Sequence, residues 1–124
     1  MFMKIKLLIA AHKLYEMPKD PLYETIQVGA KGKESLHPAY LRDDRGDEIS
    51  DRNPYYCELT AVYWAWKNLD SDYIGLAHYR RHFRGKSGRD KWSSILSSEE
   101  ASALLSSADV LLPKPRRYFI ETCY

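Results

Sequence analysis

The sequence predicts one α/β domain with a mostly parallel sheet flanked by helices. Three observations carry that expectation. Apolar runs of strand length recur at Lys4–Ala11, Asp72–His78 and Asp109–Pro113, and continuous apolar runs suit strands buried on both faces. Helix signals fall between them, so strand and helix alternate, the pattern of a parallel sheet with helical crossovers. Each run also ends in cations: His12-Lys13, then His78 with Arg80 and Arg81, then Lys114 with Arg116 and Arg117.

Lys4–Ala11 is the first strand and the central one. Leu14 to Tyr23 contains Pro18 and Pro21 and reads as a loop. Glu24–Ala30 is a short strand ended by Gly29. Lys31–Tyr40 is a polar loop, and the acidic stretch Leu41–Asn53 is expected to be ordered without a regular element. Asn53-Pro54 signals a helix start, because Asn caps well and Pro suits the first helical position. That helix is expected to reach Leu69, with Tyr55, Leu59, Val62, Trp66 and Leu69 as its apolar stripe. Glu58 lies near its N-terminal end, where the macrodipole favours an acid. Asp70 and Asp72 are expected to close this helix and start the next strand rather than hold a metal. Residues 84–96 form a Gly, Ser and basic loop, for which mobility is expected. Ser97-Ser98-Glu99-Glu100 fits a capping box for a helix through Ala101, Leu104, Leu105 and Ala108. Arg117–Tyr124 is apolar and aromatic, as expected of a fragment of a longer domain.

A length of 124 residues allows one small core. Hydrophobic content of 44% and charged content of 29% are those of a soluble globular chain. A net charge of +2 is too weak to imply nucleic acid. The charge is uneven, however. Arg80, Arg81, Arg84, Lys86, Arg89 and Lys91 face one acid, Asp90, whereas Asp43, Asp44, Asp47, Glu48 and Asp51 surround Arg45. Cys57 and Cys123 have no metal-ligand spacing and read as free thiols of a reducing compartment. Met1–Ala11 has no secretory core and falls short of the ~20 residues of a membrane span. A cytoplasmic protein, or one peripheral to the membrane, is expected.

No Gly-x-Gly-x-x-Gly follows a strand, no complete phosphate-loop pattern occurs and Gly-x-Ser-x-Gly is missing, which argues against a dehydrogenase, a P-loop enzyme and an α/β-hydrolase. No His/Cys cluster has zinc spacing, so no metal ligand is assigned. What remains are the cationic strand ends. In a parallel sheet they share one edge, where ligands of open α/β sheets bind. Arg and Lys together there would hold a diphosphate. The alternative is that each strand simply exits to solvent through charged residues.

Five segments carry a resemblance. They are Ile9-Ala10-Ala11-His12-Lys13 with Met17-Pro18; Ile26-Gln27-Val28-Gly29-Ala30; Leu41 to Ser50; Asn53-Pro54 with Cys57 to Asn68; and Asp72 to Arg81. Together with Leu112-Pro113-Lys114 and Ile120-Glu121-Thr122, they resemble a bacterial glycosyltransferase family once catalogued as a domain of unknown function. Its members occur in capsular, exopolysaccharide and lipopolysaccharide biosynthesis, and some are described as galactofuranosyltransferases. The resemblance implies a GT-A-like, Rossmann-like fold and transfer from a nucleotide-sugar donor, a UDP-sugar, to a saccharide or lipid-linked acceptor. It implies no nucleic-acid partner, and it allows peripheral association with the inner membrane. Family domains run to roughly twice this length, so the chain is expected to be the N-terminal, donor-binding half.

Under this resemblance His12, Lys13, Val28, Gly29 and Asp43 lie beside the donor, while His78, Arg80 and Arg81 stabilise the leaving diphosphate. Asp44 and Glu58 join Asp43 on the sugar side, with one of them as base. His78-Tyr79-Arg80-Arg81 stands where the usual Asp-x-Asp metal motif would be. Arg80 and Arg81 then do the metal's electrostatic work, and metal dependence is an open question. The rivals are a non-catalytic nucleotide- or polyanion-binding module and an inactive fragment.

Overall fold

A computed structural model describes residues 3–86 and 88–115. Four strands form one sheet: β1 (Ile5–Ala11), β2 (Tyr23–Gln27), β3 (Leu41–Arg42) and β4 (Tyr73–His78), in the order β3-β2-β1-β4. All three pairings are parallel, as the alternation of elements predicts. Ile9 of β1 lies between Thr25 of β2 and Ala77 of β4, so β1 is central.

The apolar run of β1 serves two cores because successive side chains of a strand face opposite ways. Leu8 and Ala10 join Ile26, Val28, Ala61, Trp64 and Ala65 on one face. Leu7 and Ile9 join Leu22, Tyr23, Ala77, Leu96 and Ala101 on the other. The helices supply the outer layers: α1 (Asn53–Tyr56) and α2 (Leu59–Asn68) follow a 3-10 turn at Ser50–Arg52, and α3 (Ser98–Leu105) follows the basic loop. Ser97 caps α3, its Oγ accepting from the Glu100 N–H, as the capping box predicts. Asp72 accepts from the Lys4 N–H at 2.8 Å, and Asp70 pairs with the Lys4 ammonium at 3.2 Å. The two acids therefore tie down the strand start. No helix of the described residues is long and apolar enough to cross a membrane.

Local expectations are corrected in three segments, 53–69, 41–53 and 109–113. The helix expected from Asn53 to Leu69 breaks at Cys57, whose φ of 51° is outside the helical region. The Asn53 side chain does not cap the helix. It spans the break, donating to the Cys57 carbonyl and to Thr60 Oγ1. The expected stripe is not the buried one, although Leu59, Val62 and Trp66 share the single helix α2. Tyr55 is 86% exposed and Trp66 66% exposed, while Thr60, Ala61, Trp64 and Ala65 face the sheet. The small Ala61 and Ala65 side chains let α2 pack against this face of the sheet, closest to β4.

The stretch expected to lack regular structure contains β3, which pairs Leu41 and Arg42 with Ile26 and Gln27. Asp109–Pro113 is not a third core strand: its Val110 and Leu112 are 69% and 82% exposed. Pro113 and Pro115 have no backbone N–H of their own to give to a ladder. Asp109, Val110 and Leu111 instead border a groove beside Ile5, Leu7 and Phe83. The two arms of the basic flap, residues 84–86 and 88–96, are joined by an antiparallel bridge between Arg84 and Ile95 and a 2.8 Å bond from the Leu96 N–H to the Phe83 carbonyl.

Candidate functional site

The carboxyl ends of β1 and β4 lie side by side, because Ala10 pairs with His78. His12 and Lys13 leave β1 there, and His78, Tyr79, Arg80 and Arg81 leave β4. A tight turn fixes the second group: His78 and Arg81 exchange backbone hydrogen bonds of 3.2 and 3.0 Å, and the Arg80 N–H donates to His78 Nδ1 at 3.2 Å. His12, Lys13, Arg80 and Arg81 are exposed. Cations at adjacent strand ends with solvent access can receive an anion.

Tyr79 sits at the centre of this edge. Its ring stacks on Tyr15 at 3.8 Å and meets His12 edge-on at 5.8 Å and His78 at 4.1 Å. The Arg80 guanidinium lies 5.3 Å from the same ring, within cation–π range. A hydrogen bond to Tyr79 raises the pKa of Tyr15. Tyr15 and Tyr79 stand outside the expected site residues. Their signal in the sequence is a tyrosine inside the basic run and another just after His12-Lys13, in a chain rich in tyrosine.

β2 ends at the same edge. The Val28 N–H donates to the Ala11 carbonyl at 3.0 Å, which puts Val28 and Gly29 next to the exit of β1. Gly29 has a φ of +59°, and a Cβ there would come within 2.9 Å of the Asn53 side-chain oxygen, so this turn has no room for another residue. Val28 is buried in the core, leaving its backbone as the part near the edge.

The three acids have different surroundings. Asp43 is wholly buried. Its Oδ1 accepts from the Ala30 N–H at 3.0 Å and Ser50 Oγ at 2.6 Å, and its Oδ2 from the Gly29 N–H at 2.8 Å and Thr60 Oγ1 at 2.7 Å. Four donors occupy a group expected beside the donor nucleotide, so in this geometry Asp43 is an internal tie behind the edge. Asp44 is gripped by Arg42 through Nε at 3.0 Å and Nη2 at 2.8 Å, which holds its carboxyl below the usual range. Arg42 also donates to the carbonyls of Ala30 and Lys33, so the pair braces the loop. A carboxylate held this way is a poor base. Glu58 is half-buried one residue before α2, and its side chain does not cap the helix.

The third expected cationic end is not carried by a strand. Lys114 follows an exposed segment that is not a strand, and Arg116 and Arg117 lie outside the described residues, as do Ile120-Glu121-Thr122 and Cys123. Gly85-Lys86-Ser87 resembles the end of a phosphate loop, but Arg80 stands where that loop's first glycine belongs. Among the described residues, no three His, Cys, Asp or Glu side chains converge as a metal site.

Comparison with known proteins agrees with this architecture. A solved structure described as the apo form of WbbM, a bifunctional glycosyltransferase, is similar to this chain with a TM-score of 0.60 and 38% identity. The similarity covers 72% of this chain and 16% of that one, so the chain spans a small part of the neighbour's length. No curated protein matches. The model of the family described as a domain of unknown function, DUF4422, matches residues 6–124. The chain belongs to the DUF4422 family.

Proposed function

We propose that this chain is the donor-binding part of a glycosyltransferase that moves a hexose, such as galactofuranose, from a UDP-sugar to a saccharide or lipid-linked acceptor. The observation that carries this reading is the adjacent exit of β1 and β4, which gathers His12, Lys13, His78, Arg80 and Arg81 at one edge. The likeness to a bifunctional glycosyltransferase supports it.

In this reaction an acceptor hydroxyl oxygen bonds to the anomeric carbon as the anomeric bond to the diphosphate breaks. The electron pair leaves on UDP, and the hydroxyl proton passes to a base. Negative charge grows on the leaving oxygen, and fixed cations stabilise it most where it grows. Arg80 and Arg81 take that role, with His78 beside them and His12 and Lys13 across the edge. Glu58 is the candidate base, since Asp43 and Asp44 are engaged by other groups.

Calorimetric titration with UDP tests the assignment. Hydrogen bonds to charged groups contribute ~1.5–3 kcal/mol each, so Arg80→Ala/Arg81→Ala should weaken UDP binding at least about tenfold. Undiminished binding in that variant refutes the role. A polyanion-binding module is the second reading, favoured by the exposed Arg84, Lys86, Arg89 and Lys91 on the flap. It predicts binding that collapses with salt and ignores UDP.

A further inference from the structure

A cavity of about 410 Å³ opens between the β1–β2 connection and the far side of the flap. Its volume is that of a small-molecule site. None of the strand-end cations lines it. Trp92 forms one wall, Met17 and Ile95 add apolar surface, and Glu16, Asp20 and Ser93 supply polar groups. We propose that this cavity holds the acceptor saccharide. The inference rests on the glycosyltransferase reading and deepens it by naming where the second substrate sits.

The lining fits a sugar better than a nucleotide diphosphate. A pyranose ring presents a face of C–H bonds and a rim of hydroxyls. An indole offers a broad apolar surface for the first, and carboxylates accept hydrogen bonds from the second. Asp20 is held in place, its carboxylate accepting from the Leu22 N–H at 2.8 Å and the Ser98 N–H at 3.2 Å. Glu16 has no hydrogen bond or ion pair among the described residues and is exposed at the wall. A diphosphate would meet two acids here, with Lys19 as the cation of the lining and the Lys91 ammonium 4.8 Å from the Trp92 ring.

Position is the second argument, since a transferase must bring donor and acceptor together. The connection that begins with His12 and Lys13 passes Tyr15, stacked on Tyr79, and reaches the cavity at the next residue, Glu16. On the other side, His82 follows Arg80 by two residues and lies against the Trp92 ring at 5.7 Å. The cationic edge and the cavity are thus joined through both segments.

The three tryptophans make the proposal testable in the intact chain. Each indole N–H gives one signal in a heteronuclear magnetic resonance spectrum, assigned by a Trp→Phe change at each position. Trp64 is an internal control, its indole donating to the Arg45 carbonyl at 2.7 Å. Trp66 is a surface control under Lys67. Methyl β-galactopyranoside and methyl β-galactofuranoside are titrated to tens of millimolar, and UDP is titrated separately. At least one glycoside should shift the Trp92 signal while Trp64 and Trp66 stay still, and Glu16→Gln should weaken that response about fivefold. An unmoved Trp92, equal shifts at Trp66, or displacement of the glycoside by UDP overturns the proposal. Failure of UDP to bind with the glycoside response intact would refute the donor edge and leave the cavity as a sugar site.

Discussion

Replacing Asp43 separates a structural tie from a ligand contact. Asp43→Ala removes the acceptor of two backbone N–H groups, Gly29 and Ala30, and of the Ser50 and Thr60 hydroxyls. Thr60 has an alternative acceptor, the Cys57 carbonyl at 3.2 Å. That leaves the two N–H groups and the Ser50 O–H without an acceptor, while Ser50 Oγ still accepts from the Lys31 N–H. Each buried unsatisfied donor costs ~1–3 kcal/mol, and water entering the vacated space recovers part of the sum. The expected loss is about 3–5 kcal/mol, in the range reserved for broken buried networks and a large share of the ~5–15 kcal/mol that holds a domain folded. Asp43→Asn keeps one oxygen, but either rotamer sets its NH₂ against one backbone N–H, so about half that loss is expected. Urea unfolding with the slope unchanged measures both. An Asp43→Ala variant within ~0.5 kcal/mol of the parent refutes the reasoning. Stability retained together with lost UDP binding would make Asp43 a ligand contact instead.

Two further outcomes follow from the backbone and from a buried imidazole. Cys57 holds a φ of 51° that non-glycine residues rarely adopt; such strain costs ~1–3 kcal/mol, against ~0.5–1 kcal/mol for glycine's extra freedom when unfolded. Cys57→Gly should therefore raise stability by roughly 1 kcal/mol in urea unfolding, and a loss would show that the break is not strained. His82 has both ring nitrogens buried without a hydrogen-bond partner. Burial, then the charges of Lys91 and His78, lower its pKa. The unfolded chain then binds the proton more readily than the folded one, so this contribution is full above the ordinary value near ~6.5 and falls away as pH drops below it. Stability measured between pH ~7.5 and ~5.5 should decline in the parent and flatten in His82→Phe; an unchanged slope assigns the decline to another group.

The legible parts of the fold were those whose signal is local. An apolar run such as Leu7–Ala11 can satisfy its side chains only inside, and Ser97 with Glu100 closes a cap without help from elsewhere. Cys57 carries no mark of a break, since glycine is the usual sign of a positive φ. Leu59, Val62 and Trp66 form a plausible stripe on paper, and spacing alone does not show which face of α2 meets the sheet. Val110, Leu111 and Leu112 have the composition of a strand, but composition cannot show whether an edge receives it. At the site, cations after apolar runs were visible at His12-Lys13 and His78 to Arg81. The burial of Asp43 was not, because its donors come from a β-strand exit, a 3-10 turn and a helix that meet only after folding. The role of Trp92 is illegible for the same reason: its cavity is made by a loop more than seventy residues earlier in the chain.

The place of β4 beside β1 also sets an order in time. Ile9 waits for a partner, Ala77, that lies 68 positions later (77 − 9). At ~5–20 residues per second of synthesis, that is an interval of about 3–14 s during which one edge of the most apolar strand has no neighbour. The β1–β2 pair can form early, over a short loop. The sheet is completed only when Tyr73–His78 emerges, and the next residues out are Tyr79, Arg80 and Arg81. The cationic edge therefore comes into being as the sheet is completed, and a nascent chain that stalls before residue 78 has neither.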